Sequence, residues 1–360
     1  MHIDELDTPA LLIDLGIMER NLAIVAAYAK THGLRLRPHT KTHKIPALAA
    51  MQLAMGAAGL TVAKPGEAEV MLASGTPDML IAFPVIGAGK LRRLMEVARR
   101  TRVTVSLDSL FAAGELSAAA ASAGLEVGVL VEMDAGLRRV GVVPGPDVVA
   151  LARQIDRLPG LRFEGIAFYP GHIRGEDQQA LGELSQVLDG VIGMLRDSRL
   201  APKIVSGGST PTLYHSHLIT GMNEIRPGTY IFNDLNTVLS GACKLDDCAA
   251  SILATVISTA VAGQAVIDGG SKTFSSDRPV AGELRFGHVV EAPDAVFTKM
   301  NEEHGYVNTR ACATPPRIGD RVRVIPNHVC VAMNLHETVY GIRGERVEQM
   351  WRVEGRGKLQ

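Results

Sequence analysis

Cysteine is scarce in this chain: the four at Cys243, Cys248, Cys312 and Cys330 all lie in the last third of 360 residues. Four thiols cannot build a disulfide-dense framework, which points to a reducing compartment. No excess of either charge is present, with 37 Lys and Arg against 38 Asp and Glu, and no basic block occurs. Nucleic acid and an anionic membrane surface are therefore not expected as partners. Long hydrophobic runs are missing as well, since no uncharged stretch reaches the roughly 18 residues of a membrane span. The opening Met1-His2-Ile3-Asp4-Glu5 has neither the positive nor the apolar region of a signal peptide, so a cytoplasmic protein is expected. Internal repeats and linker-like Pro/Ser stretches are also lacking, and two closely packed domains are expected.

What is present describes a folded, α/β chain. Hydrophobic residues make up 46% and charged residues 21%, the latter near the roughly 25% of ordinary globular proteins, so disorder is excluded. Between residues 30 and 235 short β-branched runs alternate with longer stretches of helical period, the pattern of a parallel sheet. Eight strands are expected, at 34–36, 59–63, 79–83, 103–107, 127–132, 163–168, 203–205 and 224–232. Helices are expected between them at 45–55, 67–73, 90–99, 111–121, 146–157 and 178–199. A doubly wound sheet would carry a glycine-rich turn after its first strand, but that position reads Arg37-Pro38-His39-Thr40-Lys41. The count and this absence favour a closed (β/α)8 barrel. After Asn236 the composition turns to Val/Ile/Thr-rich runs broken by Gly, Asp and Pro, at 251–261, 264–267, 285–291, 321–325 and 346–353. The expected organisation is thus a barrel over 14–235 and a second, mainly β domain over 236–360, joined by an N-terminal strand within 1–13.

In such a barrel the working groups stand just beyond the carboxyl ends of the strands. After the first strand, Arg37-Pro38-His39-Thr40-Lys41-Thr42-His43-Lys44 crowds five potentially cationic side chains into eight positions. Like charges disfavour protonation of a lysine, and a neutral lysine is what attacks a carbonyl; a solvated basic turn is the plainer alternative. After the seventh strand, Ser206-Gly207-Gly208-Ser209 offers backbone N–H groups and hydroxyls suited to a phosphate, although a flexible surface turn would read the same. A lysine facing a phosphate cradle across a barrel mouth is the arrangement that pyridoxal 5'-phosphate requires. His172, in Tyr169-Pro170-Gly171-His172, follows the sixth strand and is a loop histidine open to the same mouth. His328 and Cys330, read as an extended segment, would point the same way and could share a borderline divalent metal; alone, a buried cysteine beside a stray histidine is the commoner case. Cys243 and Cys248 have the wrong spacing for a zinc knuckle and read as structural. Met133, Trp351 and His304 read as packing or surface residues.

Four segments resemble one family, in order along the chain. They are Asp7-Thr8-Pro9-Ala10 through Lys44, Asp134-Ala135-Gly136-Leu137-Arg138-Arg139-Val140-Gly141, Glu224-Ile225-Arg226-Pro227-Gly228-Thr229-Tyr230-Ile231-Phe232, and Pro326-Asn327-His328-Val329-Cys330. They are similar to the D-threonine aldolase and D-serine dehydratase family, a branch of the alanine-racemase-like pyridoxal phosphate enzymes. The resemblance implies that Lys41 forms the Schiff base with the cofactor, with Lys44 a helix-start cation. It further implies Ser206, Gly207, Gly208, Ser209 and Tyr230 at the phosphate, Arg139 at the phenolic oxygen, Arg226 at the ring nitrogen and Tyr169 among the cofactor contacts. His328 and Cys330 become ligands of a divalent metal (Mn, Zn, Co or Mg), His172 the base on the substrate hydroxyl, and the protein a homodimer acting on a small amino acid.

Pyridoxal phosphate labilises the bonds at the substrate's α-carbon. A base at the β-hydroxyl together with the metal then breaks Cα–Cβ, giving glycine and an aldehyde. Loss of the hydroxyl after the α-proton instead gives a 2-oxo acid and ammonia. His172 favours the aldolase outcome, Cys330 the dehydratase. Racemisation ranks third, and a non-catalytic cofactor-binding protein remains a reading of another class, disfavoured by the second domain.

Overall fold

The computed structural model describes residues 1–360, which divide into two compact units: Ile24–Gly228 with Gly357–Gln360, and Met1–Ala23 with Thr229–Arg356. Strand β1 (Ala10–Asp14) opens the chain. The larger unit contains the parallel strands β2 (Arg35–Leu36), β3 (Leu60–Val62), β4 (Asp78–Ile81), β5 (Arg102–Leu107), β6 (Val127–Met133), β7 (Leu161–Phe168), β8 (Ile204–Gly207) and β9 (Glu224–Ile225), in the order β2-β9-β8-β7-β6-β5-β4-β3. The parallel bridge between His39 and Thr61, and the Thr61 hydroxyl donating to Arg37 O at 2.8 Å, join β2 to β3 and close the barrel.

Helices return the chain between strands and start where the local chemistry allows. Ser109 and Asp177 cap the helices Leu110–Ala123 and Gln178–Asp197 through their side chains, and prolines open Pro46–Ala54, Pro65–Met71 and Pro146–Ile155. Proline fits there because the first-turn N–H has no intrahelical partner. Alternation along the strands sends one set of side chains toward the helices and the other into the barrel. The inward set is polar in layers. Thr104 on β5 donates to Glu164 on β7 at 3.1 Å, a contact that skips β6. It passes over Gly128, where a Cβ would stand 2.6 Å from Glu164 Oε2 and 2.8 Å from Thr104 Oγ1.

The expected strand over 224–232 stops at Ile225. Arg226 N–H still reaches Gly207 O at 3.1 Å, but Pro227 brings no donor and the backbone turns into a 3-10 helix over Thr229–Ile231.

In the second unit β10 (Ala250–Ser258), β11 (Gln264–Ile267), β12 (His288–Val289), β13 (Val296–Met300), β14 (Gly305–Asn308) and β15 (Arg321–Ile325) form a closed antiparallel ring, because β11 pairs with β10 as well as β14. β1 pairs antiparallel with β10 and parallel with β16 (Thr338–Arg343), which pairs with β17 (Arg346–Arg352). The hairpin β13–β14 and strand β16 were not expected from composition. Their outward positions carry Thr298, Lys299 and Asn308, which masks the apolar alternation.

Candidate active site

Lys41 stands on the 3-10 turn Thr40–Thr42, directly past the carboxyl end of β2, with its side chain exposed. His39 caps this turn, its Nδ1 accepting the Lys41 N–H at 3.3 Å. Desolvation, followed by the charges of Lys41, Arg226 and His43, pushes the His39 pKa well below its ordinary value. The cationic crowding visible in the sequence thus acts on His39, which it holds neutral, and it places Lys41 and Arg226 around one imidazole. Lys44, with a left-handed φ of 56°, turns inward instead and pairs with buried Glu67 at 3.4 Å.

Arg226 is buried just beyond β9. Its Nη2 donates to Phe168 O at 2.9 Å, while Nη1 is buried with no hydrogen-bond partner. Burial lowers its pKa, against the opposing charges of Glu132 and Glu224. A buried guanidinium N–H without an acceptor costs free energy unless a ligand supplies one, and a ring nitrogen lone pair is such an acceptor.

The Ser206–Ser209 segment closes β8 and is buried throughout. Ser206 Oγ donates to Glu224 Oε1 at 2.7 Å, and Glu224 Oε2 in turn accepts from Arg37 Nε at 3.0 Å. Gly207 is required sterically: a Cβ there would lie 2.2 Å from the Phe168 ring. Gly208 takes a left-handed φ of 81°, which turns the backbone beside the Ser209 and Thr212 hydroxyls, 3.1 Å apart. The helix after this loop is a 3-10 turn beginning only at Leu213, so the anion environment comes from loop N–H groups and hydroxyls. These residues fit a pyridoxal phosphate: a lysine, an unsatisfied donor for the ring and a glycine cradle.

Arg139 lies over the Tyr169 ring at 4.6 Å, so these two are together. His172 is exposed, its Nε2 only 3.0 Å from where a Cβ on Gly136 would be; it packs on the loop following β6. Tyr230 is buried in the Thr229–Ile231 turn, which belongs to the second unit.

In that second unit His328 and Cys330 are not both on an extended segment. His328 is extended, with φ −137° and ψ 109°, but it is the N-cap of a helix over Val329–Leu335, which places Cys330 in the first helical turn. Asp234 makes this possible. Its Oδ2 accepts from Val329 N and pairs with His328 Nδ1, both at 3.0 Å, while Oδ1 caps its own helix at Thr237 N at 2.8 Å. His328 also hydrogen-bonds Cys330. Burial would lower the His328 pKa, but the Cys330 and Asp234 charges outweigh it and push it up to about 11. A carboxylate orienting a histidine beside a thiol is the donor arrangement of a borderline-metal site. No group of three or more His, Cys, Asp or Glu side chains is gathered here or elsewhere in the chain to hold an ion. Sequence reasoning missed Asp234, although Asn233-Asp234-Leu235 carries a helix-start signature.

A barrel with a lysine beyond its first strand, a buried arginine beyond its last and a glycine cradle between them defines the alanine-racemase class of barrel. Residues 13–235 match the alanine racemase N-terminal domain family, and 249–342 match a putative serine dehydratase domain. The chain belongs to the D-threonine aldolase and D-serine dehydratase branch of that family. It is 33% identical to D-threonine aldolase of an Arthrobacter species, over 98% of this chain and 93% of the relative. The crystal structure of D-threonine aldolase from Filomicrobium marinum superimposes with a TM-score of 0.93 at 33% identity, covering 99% of this chain and 97% of that one. A metal-free cysteine-to-alanine variant of a D-threo-3-hydroxyaspartate dehydratase gives 0.89 at 31% identity, covering 98% of both chains. No helix is long and apolar enough to cross a membrane.

Proposed function

We propose that the chain is a pyridoxal phosphate-dependent lyase that cleaves D-3-hydroxy-amino acids to glycine and an aldehyde, with a divalent metal assisting. The observation that carries the cofactor is the buried Arg226 Nη1, which lacks an acceptor in the protein. Similarity along the whole chain to a D-threonine aldolase supports the substrate class.

When bound, pyridoxal phosphate supplies an electron sink for the bonds at the substrate's α-carbon. Lys41 supplies the amine for the cofactor's aldehyde, and its exposure leaves it accessible. Ser206, Gly207, Gly208 and Ser209 hold the phosphate, and Arg226 donates to the ring nitrogen. Arg139, over the Tyr169 ring, would be the cation for the phenolic oxygen. His172 is the base that takes the proton of the β-hydroxyl. His328 and Cys330 would hold the divalent ion (Mn, Zn, Co or Mg), which would supply positive charge for a hydroxyl oxygen. The protein acts as a cytoplasmic homodimer, and an active monomer in sedimentation at assay concentration would refute that state.

One observation favours a second reading, dehydration to a 2-oxo acid and ammonia: the thiolate donor Cys330, considered with the similarity to the hydroxyaspartate dehydratase. Incubation with D-threonine, D-serine and D-3-hydroxyaspartate, with and without metal, separates the two. Glycine plus an aldehyde supports the aldolase, 2-oxo acid plus ammonia the dehydratase, and no turnover with cofactor bound a binding protein.

A further inference from the structure

Asp234 and His328 are joined by more than their own contact. Leu235 N donates to Pro326 O and Asn236 N to Asn327 O, both at 3.1 Å, so the segments that carry the aspartate and the histidine are strapped together. Two asparagines on these segments, Asn236 just after Asp234 and Asn327 just before His328, then reach out to one and the same loop. Asn236 Nδ2 donates to Arg278 O at 3.2 Å, and Val280 N donates to Asn236 Oδ1 at 2.8 Å. Asn327 Nδ2 donates to Asp277 O at 2.9 Å and to Arg285 O at 2.5 Å, which draws the two ends of the loop onto a single amide. Its Oδ1 is buried with no hydrogen-bond partner. An unpaired buried oxygen costs free energy, so packing does not account for an asparagine here, whereas the two donations do. The loop leaves the short helix Ser271–Phe274 through Ser275, a buried residue at φ 67° and ψ 165°, a conformation nearly confined to glycine. It rejoins the sheet through Gly287, at φ 146°, where a Cβ would stand 2.6 Å from Val324 Cγ1. Strain of the Ser275 kind persists only where surrounding contacts impose it. Between these ends Val280, Glu283 and Leu284 are exposed.

We propose that Asn236 and Asn327 are positioning residues for His328, and that they act by latching the loop over 276–286 to the Asp234–His328 corner. Latched, the loop fixes both asparagine side chains, and through their backbones it fixes the two segments whose bonds aim the imidazole. Released, it lets both segments relax. Compact loops whose ends meet open and close as local units, at a free energy below that of global unfolding. The strain at Ser275 favours release and the asparagine bonds oppose it, so removing either asparagine tips the balance toward the open loop. The chemical consequence rests on the proposed role of His328 as a metal donor, because a divalent ion needs its histidine held in one orientation. The latch itself is a property of the chain without metal or substrate.

The test takes the pyridoxal phosphate-loaded protein without added metal and compares two rates, each located by mass spectrometry: cleavage after Glu283 by a glutamate-specific protease, and acylation of His328 by diethyl pyrocarbonate. Asn236→Ala and Asn327→Ala are expected to raise both rates together, about tenfold, as the loss of one or two hydrogen bonds implies. Acylation of His336, which bonds Thr273 O at 3.2 Å outside the loop, is expected to stay at the wild-type rate, which separates release of the loop from general unfolding. Val280→Pro removes only the loop N–H that reaches Asn236 and leaves both asparagines in place; a smaller rise in both rates is expected, so the outcome does not depend on Asn327→Ala folding. Zinc affinity of Asn236→Ala, measured by calorimetry, should fall about tenfold with the cofactor's absorbance intact. A loop cleaved faster while His328 acylation stays unchanged, or neither rate rising in folded Asn236→Ala, would overturn the proposal. A wild-type protein that binds no zinc would instead remove the metal reading, with the latch still decided by the two rates.

Discussion

The barrel interior and the His328 corner of the β unit both bury charge, but they leave different things unfinished. In the barrel, Arg37 is fully buried and bonded at Nε to Glu224 and at both terminal nitrogens to Asp78, at 3.0, 2.7 and 3.2 Å. Burial opposes its charge, yet those two carboxylates raise its pKa above the ordinary value. Arg226, close by in the same barrel, keeps one N–H open. The β unit has no open donor at the comparable place, because His328 is already engaged by Asp234 and Cys330. A cofactor can therefore bind the barrel by adding an acceptor to an existing vacancy. A metal must displace a proton from the histidine–cysteine pair, so its binding strengthens as pH rises.

The comparison is most sharply broken by Lys41→Ala. This variant is expected to lose ~10^3-fold or more in kcat and to retain no pyridoxyl group on peptide mapping after borohydride, while still binding metal. A pyridoxyl group on Lys44, Lys64 or Lys272 in the wild-type protein would dissociate Lys41 from the role. Chelation, His328→Ala or Cys330→Ala is expected to lower β-hydroxy-D-amino acid cleavage by ~10^2-fold or more with the cofactor's absorbance intact, and added Mn2+, Zn2+ or Co2+ should restore the chelated enzyme. Loss of cofactor absorbance along with the metal would show that the two regions are not chemically separate.

A third measurement concerns acid stability of the barrel unit. His43 is fully buried between Gln52 and Ile45 N, and desolvation pushes its pKa down to about 4. As pH falls below the ordinary histidine range the unfolded chain takes up this proton and the native chain does not, so stability declines between about pH 6.5 and 4. The displacement is worth about 3 kcal/mol, and His43→Gln is expected to flatten the pH dependence of the denaturation midpoint in that window; an unchanged slope would mean that another group carries it.

Asp234→Asn is expected to weaken metal affinity ~10- to 100-fold without changing cofactor affinity, as an orienting carboxylate would. The smallest effect is assigned to Gly208→Ala, about 1 kcal/mol of stability from its left-handed φ, together with a weaker hold on the cofactor measured by dialysis. Unchanged cofactor affinity there would place the phosphate elsewhere.

Much of this was legible in one dimension because barrel chemistry is written next to barrel strands. Lys41, the glycine pair and Arg226 each lie within a few residues of a strand's carboxyl end, and a strand is recognisable from its own apolar run. The β unit was less legible. Strands β13 and β14 are short and half exposed, so their alternation is diluted. The helix that carries Cys330 starts where it does because an aspartate 95 residues away accepts its first N–H.

The sequence by itself therefore determined the barrel and its polar strand ends, since these follow from local periodicity and from residue chemistry. Only the tertiary structure decided that Arg226 keeps an unpaired donor, that Lys44 turns away from Lys41 toward Glu67, and that Asp234 orients His328. Each of those is a contact between segments, and contacts between segments are set by how buried groups satisfy one another, for which a linear pattern has no signal.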